Sequence, residues 1–450
     1  MNIVVIVLDS LRADHLGCYG SKVATPSINE LAADATVFEN AYAENLPTLP
    51  CRAAWWTGRH LFTKRGWQPF EHSDTLLAEV LSVHGFTSAL VTDTYHMHKR
   101  GFNCGRGFDT TCFIRGQEYD PWIVEKSIGV DLAKCHRLRG DESDKIWKPR
   151  FAQYLRNAST FNTEEDHFVA RVMMRAIEWL VNVSAKQKDN LFLWVDSFSP
   201  HEPWDPPQPY RGMYDPDYTG QELIDPVPGP VQGYMTEDEV NHTKALYAGV
   251  VTLVDKWVGV LLGALKRLGL FENSLIMVTS DHGEPFGEHG FIRKARPECY
   301  EELAHIPWIV RHPAGLGKGR RIPAFVQPTD LMPTILHALG FDQQEVLVNW
   351  SAWENEPERL DMTGASLIPL LSGEQERIRD FAVSAFHENQ WSIRTDEWSY
   401  LLPLDKDRSP ELYDRTSDRG ETHDVAEENP GVVADLESRL RDFAHSVDSP

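Results

Sequence analysis

Three short apolar runs that each lead into an aspartate constrain the fold of this chain most strongly. They cover residues 2–8, 191–196 and 275–279, and the carboxylates at their ends are Asp9, Asp196 and Asp281. Continuous β-branched and apolar runs of this length are typical of parallel strands that are covered on both faces. Because the carboxyl ends of parallel strands meet at one edge of a sheet, we expect the three carboxylates to converge there.

The order of the remaining patterns indicates an α/β fold. Helical patterns over residues 28–33, 76–84 and 240–270 alternate with further apolar runs over residues 87–91 and 306–310. Such alternation predicts a central, mostly parallel sheet flanked by helices. Residues 112–161, 200–230 and 343–363 lack a clear period and are predicted to be loops or insertions; the second of these holds nine prolines.

The pattern changes near residue 372. Short alternating runs over residues 381–386, 391–394 and 399–402 predict antiparallel strands, and residues 432–445 predict a closing helix. We therefore expect a catalytic-type α/β domain over residues 1–371 and a small α+β domain over residues 372–450.

Charge and composition narrow the classes of partner. The 44 basic and 67 acidic residues give a net charge of −23, which disfavours nucleic acids and anionic membranes. No apolar run approaches the ~20 residues that span a bilayer, so we predict no membrane insertion. The six cysteines form no CxxC pair, and the first apolar run lacks the basic segment of a signal peptide, so a cytoplasmic protein with reduced thiols is expected. A homo-oligomer remains an open alternative.

Carboxylates and imidazoles at strand ends are suited to a divalent metal ion. Asp281 and His282 are adjacent, and Asp9 is predicted to lie at the same edge of the sheet. Oxygen and nitrogen ligands of this kind fit Mn, Zn, Mg or Ca. Lys294 supplies local positive charge, which an anionic substrate needs in so acidic a protein.

Several motifs occur in an order that resembles the sulfatase family of the alkaline phosphatase superfamily. Residues 7–20 (VLDSLRADHLGCYG) are similar to the opening of that family, and residues 48–59 (TLPCRAAWWTGR) to its nucleophile motif. Residues 199–204 (SPHEPW), 280–290 (SDHGEPFGEHG) and 411–414 (ELYD) resemble its later motifs. The resemblance covers nearly the whole chain and implies an alkaline-phosphatase-like sandwich that hydrolyses esters.

Departures from the family pattern carry functional information. The family places a Cys or Ser, converted to formylglycine, where this chain has Thr48; threonine is not a substrate for that conversion, so no formylglycine is expected. The second acidic residue of the opening is Ser10 here. The family also has a lysine and a histidine after the strand that ends near Val91, whereas this chain has Asp93, Thr94 and Tyr95, with His96 and His98 beyond.

The resemblance implies roles for individual residues. Thr48 is the expected nucleophile, Arg52 orients it or neutralises charge, Lys294 stabilises the transferring group, and His201 either protonates the leaving alkoxide or binds metal. Because a threonine ester cannot be expelled by a second hydroxyl, water must cleave the covalent intermediate, and a second metal ion would suit that step. The expected ligands of one or two ions are Asp9, Thr48, Asp281 and His282, and then Asp196, His201 and His289.

Three functions follow as alternatives. The first is a metal-dependent hydrolase of small anionic phosphate esters, with phosphodiesters and phosphonate monoesters as likely as phosphate monoesters. The second is a sulfuric ester hydrolase with an unmodified threonine. The third is a non-enzymatic relative that keeps the fold, against which the retention of Asp9, Asp281, His282 and Lys294 argues.

Overall fold

A computed structural model of the chain describes residues 1–125, 127–294, 298–341, 346–347, 357–358, 360–386 and 388–448. The predicted loop over residues 343–363 therefore lies largely outside the described residues. Within them, the elements alternate between strands and helices over most of the chain. The strands are β1 (Asn2–Leu8), β2 (Thr36–Ala41), β3 (Thr87–Thr92), β4 (Thr110–Phe113), β5 (Leu191–Ser197), β6 (Gly229–Pro230), β7 (Ser274–Thr279), β8 (Phe291–Ile292), β9 (Trp308–Arg311), β10 (Arg321–Val326), β11 (Val346–Leu347), β12 (Pro357–Glu358), β13 (Ala382–Phe386), β14 (Gln390–Arg394), β15 (Trp398–Pro403) and β16 (Glu411–Asp414). The α-helices are α1 (Pro26–Ala33), α2 (Thr48–Thr57), α3 (Leu77–Val83), α4 (Asp144–Ala158), α5 (Phe168–Ser184), α6 (Glu237–Arg267), α7 (Glu301–Ala304), α8 (Leu331–Ala338), α9 (Ile368–Ser372) and α10 (Pro430–Asp448).

The central sheet has eight strands in the order β10-β2-β9-β7-β1-β5-β3-β4. β9 pairs antiparallel with both of its neighbours, and every other pairing is parallel. The mostly parallel sheet predicted from the sequence is thus confirmed. The three strands that lead into aspartates, β7, β1 and β5, lie side by side at its centre, so their carboxyl ends meet as expected.

Two hydrophobic cores lie on opposite faces of this sheet. Alternate residues of β1 divide between them: Val4 and Ile6 enter the core with α1, α5 and α6, whereas Ile3 and Val5 enter the core with α2, α3 and α8. The period of two along an extended strand produces this division. It explains why β1 is apolar at every position and buried throughout.

The helix α6 is long enough and apolar enough to span a membrane by composition alone. In this fold 72% of its most apolar window is buried inside the protein. The apolar residues of α6 pack on the central sheet in the first core, so this helix has the hydropathy expected of a buried core helix.

One sequence prediction is corrected by the fold. Residues 112–161 were expected to be irregular, but they contain α4, a helix of 15 residues with Pro149 inside it. The proline and the few apolar residues weaken the helical period, and the helix is fixed instead by burial of Phe151 and Tyr154 in the first core. Residues 200–230 hold no helix and only the two-residue strand β6, in line with the prediction.

The C-terminal region forms an antiparallel sheet in the order β13-β14-β15-β16, with α10 packed on it. This sheet also stabilises the segment that leads into α2. The amide of Ala385 donates to the carbonyl of Glu44 at 3.0 Å, and the amide of Leu46 donates to the carbonyl of Ala385 at 2.8 Å. The small sheet therefore fixes the chain immediately before Thr48.

Glu44 is fully buried at this junction and has no cationic partner among the described residues. Its Oε1 accepts the amides of Leu61 at 2.8 Å and Phe62 at 3.0 Å, and its Oε2 is without a hydrogen bond. Burial raises the pKa of Glu44 to about 8, so the carboxyl is protonated at neutral pH.

We predict that this carboxyl makes the fold less stable in alkaline solution. The folded state holds the proton to a higher pH than the unfolded state, so stability falls as pH rises from the ordinary range of a glutamate towards 8. Glu44→Gln should remove this fall and be the more stable protein at pH 9 by a few kcal/mol, since one pKa unit is worth about 1.4 kcal/mol. Urea unfolding at pH 6 and pH 9 measures the effect. The exposed Glu374→Gln is the matched control, and an equal pH dependence in all three proteins would contradict the prediction.

Candidate active site

Asp9, Asp281 and His282 form a buried cluster at the carboxyl edge of the central strands. One ligand atom from each lies within 4.8 Å of the others, and all three side chains are shielded from solvent. His282 Nε2 lies 3.9 Å from Asp9 Oδ1 and 3.7 Å from Asp281 Oδ2, and it has no hydrogen-bond partner among the residues that the structure describes. The structure thus brings together three of the residues that the sequence predicted to bind a metal.

The protonation states in this cluster suit a cation. Burial and the neighbouring Asp281 carboxylate raise the pKa of Asp9 well above its ordinary value. The pKa of Asp281 is held below its ordinary value by His282 and Arg52, against the opposing effect of burial. Two carboxyl groups so close together cannot both be ionised cheaply unless positive charge lies between them.

The imidazole of His282 is oriented as a ligand. Its Nδ1 lies 2.8 Å from the carbonyl oxygen of Gly283, which accepts a hydrogen bond from that nitrogen. Burial lowers the pKa of His282 to about 4, so the ring is neutral and Nε2 carries a lone pair. A metal-binding histidine characteristically donates its other N–H to a carbonyl in this way.

Ser10 orients the carboxylates of Asp9 and Asp281, and it stands where the family pattern has a further acidic residue. It has a left-handed backbone, with φ of 61°, and its amide donates to Asp281 Oδ1 at 3.1 Å. Its hydroxyl donates to Asp9 Oδ1 at 3.0 Å. A non-glycine residue in this region of backbone space is uncommon and is found where surrounding contacts hold it.

Taken together, these donors fit a divalent ion. Two carboxylates and one neutral imidazole are hard-to-borderline ligands, and the orphaned His282 Nε2 is directed at the carboxylate oxygens. Asp9, Asp281 and His282 would hold the ion.

Arg52 connects all three strand-end carboxylates. Its guanidinium lies 2.6 Å from Asp196 Oδ1, 2.6 Å from Asp281 Oδ2 and 3.2 Å from Asp9 Oδ2, and it is fully buried. These carboxylates raise the pKa of Arg52 well above its ordinary value, so its charge is permanent. Arg52 therefore offsets part of the negative charge of the three carboxylates from within the protein.

Asp196 is a partner of Arg52, which alters the predicted second metal site. Both of its oxygens accept from the guanidinium, and they also accept from the hydroxyl of Thr94 at 2.8 Å and the indole of Trp194 at 3.2 Å. A carboxylate with this many donors offers no free lone pair to a metal ion. The sequence placed Asp196 correctly at the edge of the sheet but assigned it the wrong neighbour.

His289 does not join a metal cluster either. Its Nδ1 lies 2.7 Å from Glu302 Oε1 and its Nε2 lies 2.8 Å from the carbonyl of Glu421. These partners raise the pKa of His289 to about 9, so the ring is charged and bears protons on both nitrogens. Tyr300 stacks on the ring with centroids 3.6 Å apart, and His289 forms an ion pair with Glu302.

His201 lies beside Glu202 instead of in the cluster. Its Nδ1 is 2.9 Å from the carbonyl of Glu202 and 3.2 Å from the carboxylate of the same residue. Burial lowers the pKa of His201 to about 3, so the ring is neutral. Because Nδ1 carries the proton, His201 in this state can accept a proton at Nε2, whereas the sequence prediction had it either protonate the leaving alkoxide or bind metal.

Lys294 lies in a network of charges close to His201. Its ammonium is paired with Glu284 and lies 3.4 Å from Glu202 Oε2. Arg293 pairs with Glu202 as well, and with Asp225. Both cations hold the pKa of Glu202 well below its ordinary value, while burial raises the pKa of Glu284 to about 8. Lys294 was expected to supply positive charge for an anionic substrate, and its position beside the site is compatible with that role.

Sequence reasoning did not identify Glu202, Arg293 and Asp225 as members of the site. Glu202 follows His201 between two prolines, and a charged residue in so apolar a loop is a signal of burial that could have found it. Arg293 stands beside Lys294, where it was considered only as part of a basic surface. No local pattern marks Asp225.

Thr48 is the first residue of α2 and lies beside the cluster. The same Arg52 Nη1 that contacts Asp281 donates to the carbonyl of Thr48 at 2.9 Å. Every residue of α2 is buried, and its N-terminal end carries a partial positive charge that favours an anion. Cys51, one turn away, has its pKa raised well above the ordinary value by burial, so it remains a thiol.

Comparison with known proteins places this site in a family. The family model described as Sulfatase matches residues 1–341, and the model described as N-sulphoglucosamine sulphohydrolase, C-terminal, matches residues 287–446. Arylsulfatase K of Rattus norvegicus is 25% identical over 477 residues, covering 98% of this chain and 77% of that protein. An arylsulfatase of Clostridium perfringens is 26% identical, with 74% of each chain covered.

A solved structure shows the same fold. The phosphonate monoester hydrolase of Agrobacterium radiobacter superposes with a TM-score of 0.77 at 21% identity, over 99% of this chain and 96% of that one. The alkaline-phosphatase-like α/β architecture expected from the motifs is thereby confirmed. The chain belongs to the sulfatase family and is an ester hydrolase.

Proposed function

We propose that this chain hydrolyses singly charged phosphorus esters, phosphodiesters or phosphonate monoesters, with unmodified Thr48 as the nucleophile. The observation that carries the proposal is Thr48 itself, at the N-terminal end of α2 and tied through Arg52 to Asp281. A threonine offers one hydroxyl, so the covalent ester that it forms must be cleaved by attack of water at phosphorus.

The residues of the chain divide the work of the first step. The Thr48 oxygen attacks phosphorus as the bond from phosphorus to the alcohol oxygen breaks, and the proton that Thr48 gives up leaves with the departing alcohol. Arg52 fixes the first turn of α2 against the carboxylate cluster. Lys294 stabilises the charge that gathers on the non-bridging oxygens. When bound by Asp9, Asp281 and His282, a divalent ion lowers the pKa of the attacking hydroxyl and polarises the ester.

The second step requires a base for the attacking water. His201 is neutral with its proton on Nδ1, so Nε2 is the atom that takes up the proton. Nearby Lys294 is one cause of the low pKa of His201. Binding of an anion offsets that positive charge and raises the pKa, which makes the imidazole a stronger base while substrate is bound.

The charges around the site favour substrates with one negative charge. The three buried cations of this site already contact carboxyl groups: Arg52 contacts three, and Arg293 and Lys294 share Glu202, with Asp225 and Glu284 as their respective second partners. A dianionic phosphate monoester therefore meets little unpaired positive charge. Phosphodiesters, phosphonate monoesters and sulfate monoesters each carry a single charge at neutral pH.

Sulfuric ester hydrolysis is the second candidate. It is supported by the single cation-binding cluster found in the described part of the chain, because Asp196 and His289 are committed to other partners. Without a second ion to activate water, the case for phosphorus over sulfur rests on Thr48. The arylsulfatase relatives support the same alternative.

A panel of 4-nitrophenyl esters with one common leaving group tests the proposal. With divalent ion added, kcat/KM for 4-nitrophenyl phenylphosphonate or bis(4-nitrophenyl) phosphate should exceed that for 4-nitrophenyl phosphate and 4-nitrophenyl sulfate by at least about tenfold, or 1.4 kcal/mol in the barrier. A preference for the sulfate would establish the second candidate. No turnover of any ester would contradict both.

A further inference from the structure

A half-buried group of aromatic and basic side chains lies next to the charge network of Lys294. Tyr95 and Tyr119 pack edge to face with centroids 5.5 Å apart, and the Arg150 guanidinium lies 4.4 Å from the Tyr119 ring and 4.9 Å from the Trp147 ring. The Lys99 ammonium lies 5.3 Å from the Tyr95 ring. These five residues, Tyr95, Lys99, Tyr119, Trp147 and Arg150, are termed the aromatic mouth.

Contacts join the aromatic mouth to the catalytic residues on one side through Arg293. The Arg293 guanidinium lies 4.8 Å from the Trp147 ring and is paired with Glu202. Glu202 in turn contacts both Lys294 and His201. One aromatic ring and one ion pair therefore separate Arg150 from the proposed catalytic base.

A second set of contacts runs through His96. Its ring packs 5.3 Å from Tyr95 and 6.0 Å from Tyr119, and it lies 6.1 Å from Phe198. Phe198 packs on His201 at 4.0 Å. The mouth is thus continuous with the site, and α4, part of the insertion over residues 112–161, supplies two of its side chains.

Arg150 differs from the cations of the catalytic site because it has no anionic partner. Among the residues that the structure describes, no carboxylate lies within ion-pair distance of Arg150 or Lys99 and no acceptor bonds to the Arg150 guanidinium, whereas Arg52, Arg293 and Lys294 are all paired. Glu118, whose charge acts on Lys99 and Tyr119, is hydrogen-bonded instead to His96 at 2.7 Å. Stacking holds the guanidinium plane in place while its N–H groups stay available.

We propose that the aromatic mouth is the leaving-group subsite, and that it selects a ring-shaped alcohol that carries a carboxylate. The ring of the alcohol packs against the solvent-exposed parts of Tyr95, Tyr119 and Trp147, and Arg150 takes the carboxylate with two parallel hydrogen bonds. Lys99 adds positive charge on the same side. This inference rests on the proposed ester hydrolysis, since it names which ester the site prefers.

A matched pair of substrates isolates the role of the carboxylate. Phenylphosphonate esters of 4-hydroxybenzoate and of its methyl ester have similar leaving groups but differ by one negative charge. We expect the carboxylate ester to have the higher kcat/KM by about tenfold, which is the range of one charge-assisted hydrogen bond. The difference should lie mainly in KM.

Arg150→Gln should bring the ratio of the two substrates close to one, and Arg150→Lys should restore part of it. Lys148→Gln is the control, because it removes one positive charge from an exposed position of the same helix and should leave the ratio unchanged. Circular dichroism checks that each variant keeps its fold. An equal ratio in wild type, or an unchanged ratio in Arg150→Gln, would overturn the proposal.

Failure of the proposed hydrolysis can be distinguished from failure of the subsite proposal. If wild type cleaves neither ester, the hydrolysis proposal fails, and the subsite is then tested by binding alone. Titration of tryptophan fluorescence with 4-hydroxybenzoate should give a dissociation constant that Arg150→Gln weakens and Lys148→Gln does not. Equal affinities in the three proteins would reject the aromatic mouth as a carboxylate subsite.

Discussion

Thr48→Val is expected to lower kcat on the best phosphorus ester by roughly 10⁴-fold or more, the scale seen when an enzyme loses its nucleophile. Valine has nearly the shape of threonine and lacks only the hydroxyl, so the packing at this buried position is preserved. The helix α2 does not depend on that hydroxyl, because the residue that precedes it, Pro47, is the one at its N-cap. Steady-state rates with divalent ion present measure the loss.

Thr48→Ser is the matched control for this prediction. Serine, once intact mass shows that it is not converted to formylglycine, retains one hydroxyl at the same position. It should keep activity within about tenfold of wild type, the range of small changes in nucleophile placement. Acid-quenched mixtures of wild type and substrate should give a peptide containing Thr48 that is heavier by the transferred group. If Thr48→Val retains a tenth of the wild-type rate, another nucleophile must act. Cys51 is not that nucleophile, since its thiol stays protonated.

The sequence predicted the central sheet and the first metal cluster because both depend on local features. A buried strand followed by an aspartate is recognisable in any parallel sheet, and β1, β5 and β7 confirmed the convergence of Asp9, Asp196 and Asp281. Asp281 and His282 are adjacent in the chain. The position of both residues could therefore be predicted once the end of β7 was recognised.

The second metal cluster could not be judged in this way because its members have distant partners. His289 is bonded to Glu302 and to the carbonyl of Glu421, and the latter lies 132 residues later in the chain. Asp196 is bonded to Arg52, which lies 144 residues earlier. The spacing of residues in a sequence shows only which of them are close along the chain. A distant arginine such as Arg52 can bind a carboxylate that would otherwise be available to a metal ion.

The helix α4 was not predicted from the sequence for another physical reason. It contains Pro149 and presents mostly polar residues, so its apolar period is weak. Its position is fixed by a few contacts, with Phe151 stacked on His136 at 4.1 Å and Tyr154 buried in the first core. Two residues of the aromatic mouth, Trp147 and Arg150, therefore lie on a helix that a search for periodicity does not detect.

Arg52→Gln is expected to destabilise the fold by about 3–5 kcal/mol, the range found when one member of a buried ion pair is removed. The substitution leaves Asp9, Asp196 and Asp281 buried without the guanidinium that neutralises them. Activity should fall as well, because the first turn of α2 loses its link to Asp281. Urea unfolding at pH 7 and steady-state kinetics measure the two effects.

The loss of stability should depend on pH with a defined sign. Without Arg52, the pKa values of Asp9 and Asp281 rise in the folded state, so the folded variant binds more protons than folded wild type as pH falls. The gap in stability between wild type and Arg52→Gln is therefore largest near neutral pH and narrows towards pH 5. A gap that stays constant over this interval would show that the carboxylates are not the cause.

Divalent ion should rescue Arg52→Gln more than it stabilises wild type. An ion held by Asp9, Asp281 and His282 supplies charge that the variant lacks, so its unfolding midpoint should rise further on addition of metal. Arg311→Gln is the matched control: Arg311 is also buried, but it pairs with the accessible Asp34 and Glu272, away from the metal cluster. That variant should keep its activity and show the metal response of wild type. Equal shifts of the unfolding midpoint in all three proteins would show that the ion binds away from Asp9 and Asp281. A larger shift in Arg52→Gln alone would show that the guanidinium and the ion interact with the same carboxylates.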